Sequence, residues 1–164
     1  MRSFALVFLG LVACGGAPKA TPAAPSNAEA GSAASPTETA APPVDPKAVC
    51  ANRPDEYGPI VLTAEAAATR YGSGAKTFAT TPSSKDNPIE VCGVAASQDW
   101  LVATTCADGS HAFATPMAAA QSRAGNVGGG GRCGSIIDHY VAKCPETTYD
   151  VYVDMYMCGP TESF

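Results

Sequence analysis

The chain has 164 residues, a formal net charge of −5 and only 7% aromatic residues. Between residues 47 and 164 it carries eight Lys or Arg against twelve Asp or Glu, hence −4, and it contains no basic run. This balance argues against nucleic acid as a partner and against electrostatic attraction of residues 47–164 to anionic lipid.

The N-terminus has the pattern of an export signal. Arg2 supplies a positive charge, and an apolar run follows from Phe4 to Val12. The run is far shorter than the roughly 20 residues that span a bilayer, which favours a cleaved signal over a retained transmembrane helix. Ala13 is the small residue that a signal peptidase requires beside its cut. We therefore assign residues 1–13 to a signal peptide.

The segment Leu11-Val12-Ala13-Cys14-Gly15 resembles the lipobox of bacterial lipoproteins. The resemblance implies cleavage between Ala13 and Cys14, a diacylglyceryl thioether on Cys14 and acylation of the new amino group. It places the protein in the cell envelope, and Gly15 in place of aspartate favours the outer membrane. Two or three acyl chains, at about 0.8 kcal/mol per buried methylene, give durable anchorage. The alternative is an ordinary cleaved signal with an incidental cysteine.

Residues 14–46 are predicted to be the lipidated N-terminus and a disordered tether. The segment is rich in Ala, Pro, Ser and Thr and has no aromatic residue, so it cannot bury enough apolar area to offset the entropy of ordering it. Its reach is roughly 30 Å if flexible and about 100 Å if fully extended in polyproline II. A glycosylated stalk is the alternative that its composition allows.

Residues 47–164 are long enough for one domain. They contain all the remaining cysteines, namely Cys50, Cys92, Cys106, Cys133, Cys144 and Cys158. An exported chain meets an oxidising compartment, so we expect three disulfides, with fifteen pairings formally open. A zinc site is the alternative, but no two of these cysteines have zinc-knuckle spacing, and there is no Cys-x-x-Cys. No metal or cofactor is expected.

Helix and turn signals punctuate the first part of this domain. Thr63 is predicted to cap a helix over residues 64–71 that Gly72 ends, with an acid in its first turn. A short strand is expected over residues 89–92. The next predicted element is a helix from Ser97 toward Cys106, although residues 101–105 also suit a strand. A turn is predicted at 108–110. It is followed by a helix over 117–124, capped by Thr115 and ended by Gly125, and by a glycine-rich loop over 126–134.

The C-terminal region predicts a β-hairpin. Residues 149–158 alternate with a period of two, residues 135–144 form a second strand, and a four-residue turn at 145–148 joins them. The chain is therefore predicted to be a small disulfide-bonded α+β domain with an antiparallel sheet and two or three short helices.

The turn length predicts the register of this hairpin. It sets Lys143 opposite Asp150 and His139 opposite Asp154, two opposite-charge pairs worth about 0.2 to 1 kcal/mol each. The same register favours a Cys133–Cys158 disulfide, provided that the strand bends at the intervening glycine.

The aspartates of the hairpin are candidates for a calcium site. Asp138, Asp150 and Asp154 are candidate oxygen ligands for calcium, but the pattern lacks a folded-back loop, so a solvated polar face is the preferred interpretation. In the predicted register Asp138 falls on the apolar face, where it needs a hydrogen-bond partner or an exposed strand end.

The segment Cys133-Gly134-Ser135-Ile136-Ile137 and the Tyr/Val/Asp strand after it are similar to domains of uncharacterised bacterial lipoproteins. That resemblance implies no activity.

Gly128–Gly131 lacks the Lys-Ser/Thr of a phosphate-binding loop, which favours a flexible loop. Trp100 is assigned to the core, with an exposed sugar-stacking role as the alternative.

Two function classes remain. The first is an envelope lipoprotein with a non-catalytic binding or structural domain, whose partner is an envelope protein or a polysaccharide. The second is a small periplasmic or surface hydrolase using His139 or His111, because Asp108-Gly109-Ser110-His111 and Ser135 with Asp138-His139 contain the residue types of a triad. No Gly-x-Ser-x-Gly elbow is present. The hydrolase requires a histidine within about 3.2 Å of a nucleophile.

Overall fold

The computed structural model describes residues 49–51, 53 and 57–164, all within the second of two units of the chain, Ala41–Phe164. The predicted signal peptide, Cys14 and the predicted tether lie outside the described residues. The described part is an α+β fold with three helices and two sheets. Within it, no helix combines the length and the apolar character needed to cross a membrane.

Two of the helices begin at the predicted caps. Helix α1 is Ala64–Ala68, α2 is Gly93–Ala103 and α3 is Pro116–Gln121. The Thr63 hydroxyl accepts the Ala66 N–H and the Thr115 hydroxyl accepts the Ala118 N–H, each at 3.2 Å. Each bond satisfies an amide that the first turn of a helix leaves free. Both N-cap predictions are confirmed, although both helices end earlier than expected.

Helix α2 begins four residues before the predicted Ser97 cap. Gly93, three residues after the last residue of β2, has a φ of +81° that turns the chain into the helix, and its N–H donates to the Met155 carbonyl at 2.7 Å. Ser97 lies inside the helix, fully buried, and its hydroxyl donates to the Val94 carbonyl at 2.7 Å. The glycine therefore starts the helix, and the serine does not.

The larger sheet has four strands in the order β2-β5-β4-β3. The pairs β3–β4 and β4–β5 are antiparallel, whereas β2 runs parallel to β5. A second sheet pairs β1 with β6 in parallel. The strands are β1 Ile60–Val61, β2 Ile89–Glu90, β3 Arg123–Gly130, β4 Ser135–Lys143, β5 Thr148–Asp154 and β6 Met157–Cys158.

Strand β3 occupies much of the region predicted as a helix end and a loop. The predicted loop over 126–134 is wrong for residues 126–130, which belong to β3. Gly130 pairs with Ser135 of β4, and the pairing of the two strands contains two register shifts. Glycine is required there because a Cβ on Gly130 would clash with the Lys85 carbonyl oxygen. A strand with few side chains forms here because β4 offers a row of backbone partners and a neighbouring loop packs closely against it.

The β4–β5 hairpin forms as predicted, but its register differs by two positions. Lys143 pairs with Thr148 and His139 with Tyr152. The Cys144 N–H donates to the Thr147 carbonyl at 2.9 Å, so the turn is tighter than a four-residue connection. Since side chains alternate with a period of two, this shift changes every cross-strand partner but leaves each side chain on its predicted face.

The predicted strand over 149–158 divides in two. Strand β5 ends at Asp154, whose Oδ1 accepts the Tyr156 N–H at 3.0 Å, and β6 continues in the second sheet. The bend brings Cys158 beside Cys92, with a Cα–Cα distance of 4.5 Å. The predicted Cys133–Cys158 pair is therefore wrong. The disulfides are Cys50–Cys133, Cys92–Cys158 and Cys106–Cys144.

The main core lies between α2, α3 and one face of the larger sheet. Buried side chains from β4 and β5 pack there against Leu101 and Phe113. Trp100 joins the edge of this core, with its ring 6.0 Å from that of Phe78 and its Nε1 donating to the Gly72 carbonyl at 2.9 Å. These contacts favour the core assignment of Trp100.

Candidate functional site

A buried acid cluster lies on the sheet face opposite the helices, where the parallel strands β2 and β5 end. We define it as Glu90 and Asp154, which are direct neighbours in the parallel register, with Ser135, Arg132 and Arg53 around them. Glu90 is 8% exposed, and Asp154 and Ser135 are fully buried. The carboxyl ends of parallel strands are a frequent position for functional groups in sheets of this type.

Glu90 forms an ion pair within this cluster. The Arg132 guanidinium approaches both carboxylate oxygens, with Nε 2.8 Å from Oε1 and Nη2 2.9 Å from Oε2. The Tyr71 N–H donates to Oε2 at 3.2 Å. The Nη2 contact is a charge-assisted hydrogen bond, whereas Nε lies within ion-pair distance of Oε1 without forming a hydrogen bond.

Asp154 has no comparable partner. Its Oδ1 accepts a backbone N–H, but its Oδ2 is buried without a well-formed hydrogen bond among the described residues. The pKa of Asp154 is raised to about 6, chiefly by burial and in addition by the charge of Glu90, while the Tyr156 N–H, the Ser135 hydroxyl and the Arg53 guanidinium act in the opposite direction. Asp154 can therefore take up a proton at mildly acidic pH.

The cluster is closed to larger molecules. The Arg53 guanidinium lies over the Tyr156 ring, 5.5 Å from its centre, and the nearby Cys50–Cys133 disulfide ties the Arg53 segment to the domain. Gly131 has a φ of +62°, and a Cβ there would lie 3.2 Å from Asp154 Oδ2. The arrangement suits proton binding rather than the binding of a substrate.

The two predicted hydrolase sets do not assemble. His111 Nδ1 lies 2.8 Å from the Val102 carbonyl oxygen, while the Ser110 hydroxyl donates to Asp108 at 2.6 Å. His139 Nε2 lies 2.8 Å from Asp150 Oδ1, and its ring stacks on Tyr152. In the part of the chain that the structure describes, no hydrogen bond joins either histidine to a hydroxyl group.

The three candidate calcium aspartates lie in three different environments. Asp138 is 2% exposed on the helix-covered face and accepts Arg123 Nη2 at 2.6 Å, so it has the hydrogen-bond partner that its apolar position requires. Asp150 is exposed beside His139, and Asp154 is in the buried acid cluster. Their carboxylates therefore do not form a shared ligand set.

One group of potential metal-binding side chains occurs among residues 49–51, 53 and 57–164. The ligand atoms of Cys106, Cys144 and Glu146 lie within 4.8 Å of one another. Both sulfurs are in a disulfide, so neither is a thiolate ligand. Glu146 Oε1 accepts the Ala107 N–H at 2.9 Å, and this bond lowers the pKa of Glu146. The carboxylate thus braces the hairpin turn against residue 107.

An open groove of about 500 Å³ lies where α3 meets the end of β4. Sequence reasoning missed it, although the run of alanines at 118–120 gave a signal, since small side chains leave space on a packed helix. The groove is lined by Ala112, Phe113, Ala118, Gln121, Ser122, Val141 and Lys143.

No protein family, curated protein or solved structure gives a match to this chain. Its function must therefore be inferred from the chemistry of its own residues.

Proposed function

We propose that the protein is an exported lipoprotein, anchored in the cell envelope through lipidated Cys14, and that its domain is a non-catalytic binding or structural module. One observation carries the proposal. The chain has seven cysteines, and the six between residues 50 and 158 bond with one another. Cys14 is left over, and it occupies the lipidation position of the lipobox-like segment.

The disulfides support export. They close sequence separations of 83, 66 and 38 residues, so each removes considerable freedom from the unfolded chain. Disulfides of this kind persist in oxidising compartments. A cell-envelope location, with the outer membrane as the default, agrees with this redox requirement.

The positions of the histidines support a non-catalytic domain. Each bonds to a structural partner, His111 to a backbone carbonyl and His139 to Asp150. The side chains of the buried acid cluster are closed to solvent, with Glu90 8% exposed and Asp154 and Ser135 fully buried. On this proposal the lipid anchors the chain, the predicted tether gives reach, and the domain contacts an envelope protein, a polysaccharide or a smaller ligand.

Metabolic labelling tests the anchor. The full chain, expressed in a bacterial host and fed an alkyne-tagged fatty acid, should carry the label and fractionate with membranes. Cys14→Ser should lose the label and either leave the membrane fraction or remain unprocessed, because no thioether can form. Gly16→Ser is the matched control, since it leaves Ala13 and Cys14 intact, and it should behave like the unmodified chain.

Two results would contradict the proposal. One is a Cys14→Ser chain that is labelled, processed and membrane-bound like the unmodified chain. The other is exported protein in which two or more of the six domain cysteines react with an alkylating reagent before reduction, since the domain would then not have the redox history of an exported protein.

A further inference from the structure

We propose that the groove between α3 and the end of β4 binds a small monoanionic carboxylate with an apolar body, alkyl or aromatic. This inference rests on the proposed function, because it gives the binding module a site and a ligand class. Three features of the groove carry it: its apolar floor, its exposed methionine rim and an unpaired lysine at its mouth.

The floor and walls of the groove are apolar. Phe113, only 5% exposed, forms the floor, and Ala112, Ala118 and Val141 are half-buried around it. Ala118 of α3 lines the groove, and a side chain of this size leaves space there. A volume of about 500 Å³ lies in the range of small-molecule sites, which are mostly apolar with a few polar groups.

The rim carries an exposed methionine. Met117 is 66% exposed, and it lies one helical turn before Gln121, which lines the groove. Residues four apart on a helix are neighbours on its surface, so Met117 lies next to a residue of the groove lining. Methionine is flexible and polarizable and adapts to apolar ligands of different shapes. Its exposure next to an apolar groove therefore favours a ligand that it can cover.

The observed register leaves Lys143 without an acidic partner. The predicted register would have set it opposite Asp150, but the two-residue shift sets it opposite Thr148 and gives Asp150 to His139, at 2.8 Å. Among the described residues, no carboxylate lies within ion-pair distance of Lys143. Lys143 is exposed and lines the groove, so its ammonium group is available to an anion bound there.

The charge of the site selects a monoanion. One lysine can balance one carboxylate, whereas the net charge of −4 over residues 47–164 disfavours a ligand with several negative charges. Gln121 also lines the groove and its side-chain amide can donate a hydrogen bond to the same head group, whereas the Ser122 hydroxyl already donates to the Ala119 carbonyl at 2.7 Å. The apolar body would then lie toward Phe113.

Binding can be measured with the lipidated full chain in phospholipid nanodiscs, observed through the NMR signals of methyl-labelled Met, Ala and Val. The probes are 2-naphthoate and octanoate, with 2-naphthylmethanol as the uncharged analogue and empty nanodiscs as the blank. We expect saturable shifts at Met117, Ala118 and Val141 with at least one carboxylate, and about tenfold weaker binding of the alcohol. The two carboxylates distinguish an aromatic from an alkyl ligand.

Three variants sharpen the experiment. Lys143→Gln should weaken carboxylate binding about tenfold and leave alcohol binding unchanged, whereas Lys85→Gln, which removes an exposed lysine outside the groove lining, should change neither. Ala118→Phe should abolish both by filling the groove, with intact disulfides and an unchanged circular dichroism spectrum as evidence of folding.

Absence of saturable shifts with both carboxylates would overturn the proposal, as would equal carboxylate binding by the Lys143→Gln and unmodified chains. The label on Cys14 is measured separately. A chain that binds either carboxylate but carries no lipid would therefore reject the anchor and keep the groove, and a lipidated chain that binds neither carboxylate would reject only the groove.

Discussion

The charged side chains at the two ends of the β4–β5 hairpin lie in opposite environments, buried at one end and exposed at the other. We call the end where β5 finishes at Asp154 the closed end, because the acids Glu90 and Asp154 are buried there. We call the end at the turn the open end, because its charged groups reach solvent: Asp150 is 64% exposed beside His139. The same pair of strands runs through both environments, so burial rather than residue type decides what each charge does.

At the closed end every charge needs compensation. Glu90 receives Arg132, whereas Asp154 is compensated only in part, and its pKa rises to about 6. At the open end water solvates the charges, so Lys143 remains unpaired at little cost. The closed end therefore determines how stability depends on pH, and the open end has a charge available for a ligand.

Disulfide removal should give the largest difference between the two ends. The Cys92→Ala/Cys158→Ala double variant should lower the free energy of unfolding by about 4 kcal/mol, because the bond closes a long loop and both side chains are buried. The Cys106→Ala/Cys144→Ala pair at the open end should cost less, since Cys144 is partly exposed. Urea unfolding at fixed pH measures both, and a larger loss at the open end would break the comparison.

The pH dependence of stability should depend on Asp154. Its folded-state pKa is raised above the unfolded value of 3.8 to about 6, so the native state binds this proton more tightly than the unfolded state does. This contribution to stability is complete below the unfolded pKa and is lost as pH rises through about 6, a change of about 3 kcal/mol.

Asp154→Asn should remove this component. The stability difference between Asp154→Asn and the unmodified chain should therefore change between pH 4.5 and pH 7.5, with the variant relatively more stable at the higher pH. Asp99→Asn, an exposed substitution on α2, is the control and should show a constant difference. Urea titrations across this range measure the effect, and parallel curves for Asp154→Asn and the unmodified chain would contradict the assignment.

The second buried aspartate should respond to loss of its partner. Arg123→Ala leaves Asp138 buried without its guanidinium and should lower the free energy of unfolding by about 1 to 2 kcal/mol, a modest value because Arg123 is itself 42% exposed. Adding Asp138→Asn should recover part of the loss, since the buried charge is then gone. A double variant less stable than Arg123→Ala would show that the loss in Arg123→Ala does not come mainly from the broken ion pair with Asp138.

The smallest effect is expected at the open end. His139→Ala removes the contact with Asp150 and the stacking on Tyr152, and it should change the free energy of unfolding by less than about 1 kcal/mol. Thermal unfolding at neutral pH measures it, with Asp150→Ala as the matched variant. A loss of unfolding free energy as large as that of Arg123→Ala would mean that this exposed pair stabilises the fold as much as the buried one does.

Local signals in the sequence were sufficient for several elements. Thr63 and Thr115 cap their helices because the capping bond spans only three residues. The 108–110 turn forms because the Ser110 N–H donates to Asp108 Oδ1 and Gly109 adopts a φ of +83°. The period-two pattern predicted the hairpin and its buried face, and the α+β class follows from these elements.

Features that depend on distant neighbours were not predictable in the same way. Strand β3 forms on a glycine-rich segment because β4 pairs with it, and Cys158 meets Cys92 because the chain bends after Asp154. The register moved by two positions because the turn closes between Cys144 and Thr147. That shift sets Asp150 opposite Val141, where its carboxylate contacts His139 instead of Lys143.

The sequence by itself determined the lipobox-like segment, the number of cysteines available for disulfides, the helix caps and the alternation of the hairpin, because each depends on residues within a few positions of one another. Tertiary structure decided the cysteine pairs, the burial of Asp154 and the groove at Lys143. Those features arise from segments brought together across long stretches of chain, where close packing and desolvation outweigh local preference.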